Sequence, residues 1–161
     1  MSVTSLDKDL DNLTLTLIAD FAAPIERVWD LWADPRQLER WWGPPAFPAK
    51  VTAHDLTPGG EVTYVMTGPG GETSRGWWRV SAVNPPKDLE FTDGFSDADG
   101  KPVEDLPSTT VRMRLSAHGD GTRMEMSSVF DSREQMEELI RMGAAEGVSE
   151  AVGQMDALLA D

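Results

Sequence analysis

The most constraining feature of this chain is a change of hydrophobic period along its length. Between residues 49 and 130, apolar and polar residues alternate in short runs, as they do in half-buried strands. Strong turn signals such as Pro58-Gly59-Gly60 separate the runs, and links this short join antiparallel neighbours. The pattern therefore predicts six consecutive strands, near residues 49–56, 61–67, 75–84, 88–95, 108–118 and 122–130.

The segments on either side of this region complete the predicted order of elements. Residues 13–21 alternate as a further strand, and two short amphipathic helices follow it, divided at Asp34. A capping box at Ser132 begins a C-terminal helix that continues at helical spacing to the end of the chain. Gly143 and Gly147 are predicted to interrupt or bend that helix.

This order predicts an α+β fold built on one curved sheet. About seven antiparallel strands have one face to bury, and their twist lets the sheet curl around the long C-terminal helix, with the two short helices closing one end. Residues 13–161 are assigned to this single domain, and the polar residues 1–12 to a flexible lead-in. Such a curl leaves an apolar cavity between sheet and helix, which suggests where function lies.

Charge and composition exclude several classes of function. The chain carries 14 Lys+Arg against 28 Asp+Glu, and a formal charge of −14 argues against binding to nucleic acid or to an anionic membrane. The absence of cysteine excludes disulfides, a thiolate nucleophile and Cys-ligated zinc. No apolar run approaches a membrane span, and the first residues lack the features of a signal peptide. We expect a soluble, cytoplasmic protein.

Several motifs along the chain carry a family resemblance. The matching residues are Pro24, Val28, Trp32, Asp34, Pro35, Leu38, Trp41, Trp42, Gly43, Pro44, Asp55, Pro58, Gly59, Gly60, Pro85, Pro86, Leu89, Phe91, Thr92, Gly121, Thr122 and Gly147. Through them, residues 13–160 resemble the START-like (SRPBCC) helix-grip superfamily, and within it bacterial homologues of the C-terminal domain of the heat-shock-protein-ninety ATPase activator. The resemblance implies the helix-grip fold. Members of the superfamily bind lipids, polyketides or hormones, and some are cyclases or hydrolases.

Tryptophan and methionine are the residues that point to a binding cavity. The chain has six Trp and eight Met, and methionine adapts to irregular shapes. Each could be ordinary core, but together they favour a cavity for a small hydrophobic or amphipathic molecule, with a volume of at least ~300 Å³. On the strand with two adjacent tryptophans, Trp78 is predicted to face inward. The predicted lining is Trp32, Trp41, Phe47, Tyr64, Met66, Trp78, Phe91, Met113, Met126 and Met155.

The two histidines indicate neither a catalytic set nor a metal site. His54 and Asp55 are neighbours on a strand and face opposite ways, so one cannot orient the other as a base. His118 lies beside the turn at Asp120 and is predicted to be solvated. We expect no catalytic residue, no metal site and no cofactor.

Two other functions stay open. A cyclase-, dehydratase- or hydrolase-type enzyme needs polar groups that converge in the cavity, and the candidates are His54, Asp55, Tyr64 and Arg79. A chaperone-regulating interaction module needs an exposed apolar patch, expected around Trp77 and Pro44-Pro45. The main hypothesis expects a small hydrophobic molecule as the partner, while a homodimer and a chaperone partner are left open.

Overall fold

The computed structural model describes residues 3–103 and 108–160. The first elements are β1 (Val3–Asp9), β2 (Thr14–Phe21), α1 (Ile25–Ala33) and α2 (Pro35–Leu38). The next are the strands β3 (Ala49–His54), β4 (Glu61–Thr67), β5 (Thr73–Asn84), β6 (Asp88–Ser96), β7 (Thr109–His118) and β8 (Gly121–Val129). The last are the helices α3 (Arg133–Arg141), α4 (Ala144–Gly153) and α5 (Met155–Leu159).

The strands form one curved antiparallel sheet in the order β1-β2-β8-β7-β6-β5-β4-β3. Each strand from β3 to β7 pairs with the next along the chain, as the short turns predicted. β8 then returns to pair with β2, where Met126 lies opposite Leu17. The predicted α+β helix-grip fold is confirmed, with eight strands in the described residues where about seven were expected.

The additional strand corrects the prediction for the N-terminus. Val3–Asp9, expected to belong to a flexible lead-in, pairs along the outer edge of β2, with Leu6 opposite Leu17. An edge strand of this kind is held mainly by backbone hydrogen bonds to one neighbour, so its side chains need not alternate between apolar and polar. Asp9 closes the turn into β2 by accepting hydrogen bonds from the backbone and side-chain amides of Asn12, at 3.1 and 2.7 Å.

The boundary between the two short helices lies where the sequence predicted it. Asp34 caps α2, because its side chain accepts a hydrogen bond from the backbone N–H of Arg36 at 2.9 Å and another from Gln37 at 3.1 Å. Pro35 occupies the first helical position, where its missing N–H costs nothing. The chain therefore changes direction at Asp34, and Trp32 of α1 and Trp42 after α2 both pack against Trp78 of the sheet.

The C-terminal helix is divided into three segments. Gly143 separates α3 from α4 and has a φ of 93°, a left-handed conformation that favours glycine. The predicted interruption at Gly143 is confirmed, whereas Gly147 lies inside α4 and does not end a helix. No helix in the two described stretches is long and apolar enough to cross a membrane.

Aromatic rings fill the centre of the core. Trp78 is fully buried, as predicted, and stacks on Phe91 with ring centroids 3.9 Å apart. Trp42 meets Trp78 edge-on at 4.8 Å, and Trp32 meets Trp41 edge-on at 4.7 Å. Edge-on and offset contacts of this kind add to the stabilisation from burial alone. The cluster ties the helical connection after β2 to the middle of the sheet.

Candidate functional site

A cavity of about 390 Å³ lies between the inner face of the sheet and the helices α3 and α4. It exceeds the ~300 Å³ at the lower end of the range for small-molecule sites. Strands β2, β4, β6, β7 and β8 supply the sheet side, and the loop after α2 closes one flank. Its lining is Leu15, Trp41, Trp42, Pro44, Tyr64, Met66, Asp93, Gly94, Phe95, Thr109, Val111, Met126, Ser128, Phe130, Leu139, Met142, Gly143, Ala144, Gly147, Val148 and Ala151.

The helical wall of the cavity leaves space for a guest. Gly147 faces the cavity from the middle of α4, and a Cβ at this position would meet only the Cγ of Pro44, at 3.9 Å. Met142, at the end of α3, also lines the cavity and is 67% exposed. An exposed flexible side chain beside the cavity marks its rim, where a small molecule could enter.

Tyr64 and Asp93 form the polar end of the cavity. The hydroxyl of Tyr64 donates a hydrogen bond to Oδ1 of Asp93 over 2.7 Å. Burial raises the pKa of the Asp93 carboxyl to about 7, although the hydrogen bond from Tyr64 acts to lower it. Burial, and then the charge of Asp93, raises the pKa of Tyr64 well above its usual value, so the tyrosine stays a hydrogen-bond donor.

The sheet brings this pair together across an intervening strand. Tyr64 is on β4 and Asp93 is on β6, and β5 lies between them. Gly76 of β5 pairs with Tyr64, and a Cβ at this position would collide with the tyrosine ring. The missing side chain therefore lets the ring lie across β5 and reach Asp93. Trp42 packs edge-on against Tyr64, with ring centroids 5.8 Å apart, and holds it from the helical side.

The structure divides the residues predicted to line a cavity into three groups. Four of them line this one: Trp41, Tyr64, Met66 and Met126. Five are buried in the core without lining it: Trp32, Trp78, Phe91, Met113 and Met155. Phe47 is 37% exposed and does not line the cavity. The sequence pattern identified inward-facing residues, but it could not separate the core from a cavity wall.

Of the residues considered for catalysis, Tyr64 lines the cavity and the other three do not. His54 has its Nε2 3.2 Å from the backbone oxygen of Trp32 in α1. Asp55 accepts a hydrogen bond from the hydroxyl of Thr57 at 2.7 Å, in the turn after β3. Arg79 lies over the ring of Trp77, 5.3 Å from its centroid. These side chains are held elsewhere and do not converge with Tyr64.

The patch expected around Trp77 and Pro44-Pro45 is not a continuous apolar surface. Trp77 is half-buried, donates its indole N–H to the backbone oxygen of Phe95 at 2.9 Å, and is covered by Arg79. Pro44 lines the cavity, while Pro45 is exposed. The rings predicted to form one patch therefore face different parts of the molecule.

Asp93 is the site residue that sequence reasoning missed. Leu89, Phe91 and Asp93 follow one another at every second position of the predicted strand 88–95, so all three share a face. Because Phe91 was predicted to face inward, the same periodicity places a carboxyl group inward. That inward-facing acid was the signal that could have found the site.

One family model matches most of the chain. Its description is "Activator of Hsp90 ATPase homolog 1-like protein", and it covers residues 22–160. No curated protein is similar enough to this chain to match it.

Solved structures of bacterial proteins are similar over nearly the whole chain. Protein Ms6760 from Mycobacterium smegmatis is 50% identical, with 98% of this chain and 96% of that chain covered and a TM-score of 0.90. A protein from Arthrobacter aurescens is 46% identical, with coverages of 99% and 92% and a TM-score of 0.95. The AHSA1 protein from Silicibacter pomeroyi is 25% identical, with coverages of 91% and 97% and a TM-score of 0.73.

Proposed function

This chain belongs to the activator of Hsp90 ATPase homolog 1-like family, and on that premise we propose that it binds a small, mainly apolar molecule in the cavity between its sheet and α3–α4. The observation that carries the proposal is the cavity itself, about 390 Å³ in volume. Its volume lies within the range of known small-molecule sites, and the exposed Met142 at its rim leaves a route for a guest to enter.

The composition of the walls favours an apolar guest. Leucine, valine, methionine, alanine and aromatic side chains make up most of the lining, and the polar groups are few. Sites for small molecules combine these properties: an apolar body for affinity and a few polar groups for orientation. Met66, Met126 and Met142 can adjust to guests of different shape.

Filling the cavity from α4 tests the proposal. In the Gly147→Leu variant, the new side chain enters the space beside Pro44 without strain in the backbone, so it should block a guest. Gly153→Leu is the matched control, because Gly153 is also in α4, is exposed, and has nothing within 4 Å of its Cβ position. Native mass spectrometry of freshly purified protein, and calorimetric titration with naphthylmethanol, are the two measurements.

The expected result separates the two variants. Wild type and Gly153→Leu should retain a copurifying molecule or bind naphthylmethanol, and Gly147→Leu should bind it at least about tenfold more weakly. Thermal unfolding checks that both variants are folded. Equal binding by all three proteins would place the guest outside the cavity, and no binding by any of them would contradict the proposed function.

A further inference from the structure

We propose that the molecule bound in the cavity carries a protonated amine on its apolar body, and that the carboxylate of Asp93 binds this amine. The inference rests on the proposed function, because it names the chemical class of guest for the same cavity. It starts from the one ionisable acid in the described lining and from what surrounds that acid.

Asp93 has an incomplete set of partners. It accepts one hydrogen bond, from Tyr64 to Oδ1, while a carboxylate can accept several on its two oxygens. Among the described residues that line the cavity there is no lysine, arginine or histidine. The residues paired with Asp93 on the two neighbouring strands, Trp78 and Thr109, bring no charge either.

Nearby arginines are already paired on the outer face of the sheet. Arg112 contacts Glu90 at 3.0 Å, and Arg114 contacts Asp88 at 3.1 Å, all four on β6 and β7. Both arginines are exposed. The same strands therefore satisfy their outward-facing acids within the protein, while the inward-facing acid has no cationic partner in the described residues.

Asp93 is partly buried, and a carboxylate withdrawn from water without a countercharge is destabilised, so such charges in proteins are normally paired. A guest with an ammonium group would supply both the missing charge and the missing donors. A guest with a carboxylate would place a second negative charge in a site that has no cation to receive it. The cavity therefore discriminates between head groups by charge, and fatty acids are the class that it rejects.

The aromatic walls favour the same guest. Trp41, Trp42, Tyr64 and Phe95 line the cavity together with Asp93. The faces of aromatic rings attract cations, and ammonium ligands in proteins are commonly held by aromatic rings. A neutral hydroxyl would gain a hydrogen bond from Asp93, but it would gain neither the ionic attraction nor the cation–π contact.

Three probes with one apolar body distinguish these possibilities. Naphthylmethylamine, naphthylmethanol and naphthylacetate share a naphthalene ring and differ in head group: ammonium, hydroxyl and carboxylate. The full-length protein is titrated with each by calorimetry, at about pH 8 so that Asp93 is ionised. We expect the amine to bind about tenfold more tightly than the alcohol, and the acid to bind most weakly.

Two variants assign the preference to Asp93. Asp93→Asn keeps the shape and can still accept the hydrogen bond from Tyr64, so it should weaken amine binding about tenfold and change alcohol binding by less than about threefold. Tyr64→Phe removes the hydroxyl but leaves the charge, so the amine should still bind more tightly than the alcohol. Circular dichroism checks that both are folded, and the ranking of probes in wild type decides the question independently of them.

Each remaining outcome overturns the inference in a different way. If the alcohol binds as tightly as the amine, the guest is neutral; if the acid binds most tightly, the polar end receives anions. If Asp93→Asn keeps the amine preference, another group provides it. In all three cases, weaker binding by Gly147→Leu would leave the proposed function standing. If no probe binds wild type, the inference and the proposed function fail together.

Discussion

Asp93 determines how the stability of the domain should change with pH. Its pKa is about 7 in the folded protein, against about 3.9 for an unfolded aspartate. Between these values the unfolded chain has lost a proton that the folded chain keeps, so stability falls as pH rises. Relative to Asp93→Asn, wild type should lose about 2–4 kcal/mol of unfolding free energy from about pH 4 to pH 7, and little more above pH 7.

Urea unfolding of the two proteins across this pH range measures the difference. The contributions of two other acids to stability change in the opposite direction with pH. A hydrogen bond with Arg123 lowers the pKa of Asp20, and one with Gln37 lowers the pKa of Asp34. The stability that these two acids contribute is lost as the pH falls. Both proteins share these acids, so the difference between them isolates Asp93. A difference that stays constant, or that favours wild type as pH rises, would contradict the raised pKa.

The pair of Tyr64 and Asp93 also shows which part of the site could not be predicted from the sequence. The alternation of a strand is enough to predict that Asp93 faces inward. Its hydrogen bond, however, depends on Gly76 of a different strand and on Tyr64 of the strand beyond that one. Residues 64, 76 and 93 are brought together only by the pairing of three strands. His54 and Asp55, adjacent in the sequence, were easier to notice and lie away from the cavity.

At the scale of elements, the joint between α3 and α4 depends on one backbone conformation. Gly143 has a φ of 93°, which a residue with a Cβ adopts only under strain. Gly143→Ala should therefore lower the unfolding free energy by about 1–2 kcal/mol, measured by urea unfolding. Gly147→Ala is the control, since its position is helical and alanine favours helices by up to about 1 kcal/mol. Equal stability of the two variants would contradict the described joint.

Most elements could be predicted because turn and capping residues in the sequence mark where they begin and end. Glycine and proline turns fixed the strands from β3 to β8 to within a few residues, and the Asp34 cap fixed the start of α2. β1 was missed because its stability comes from pairing with β2, and its own residues carry no alternation. A cavity lies where it was predicted, between the sheet and the C-terminal helices, but only four of the ten predicted residues line it, because the approach of α4 to the sheet depends on packing across the whole domain.

At the scale of the whole molecule, the charge of −14 bears on how the proposed amine would reach the cavity. The arginine–acid pairs described above lie on the outer face, and among the described residues one carboxylate, that of Asp93, lines the cavity. A negative potential over the molecule raises the local concentration of cations and speeds their arrival. If the proposed amine is the guest, we expect the molecular charge to affect its association rate and Asp93 to affect its dissociation rate.

Salt should separate these two effects. The Debye length falls from about 30 Å at 0.01 M salt to about 8 Å at 0.15 M, so long-range attraction is largely screened at the higher concentration. The association rate constant of naphthylmethylamine, followed by stopped-flow tryptophan fluorescence, should fall several-fold over this range, while that of naphthylmethanol stays constant. In Asp93→Asn, the association of the amine should keep nearly the same salt dependence, because only one charge of many is removed. The amine should dissociate faster from this variant, because the contact that holds it is lost. An amine rate constant that does not respond to salt, or an alcohol that responds equally, would show that the net charge plays no part in capture.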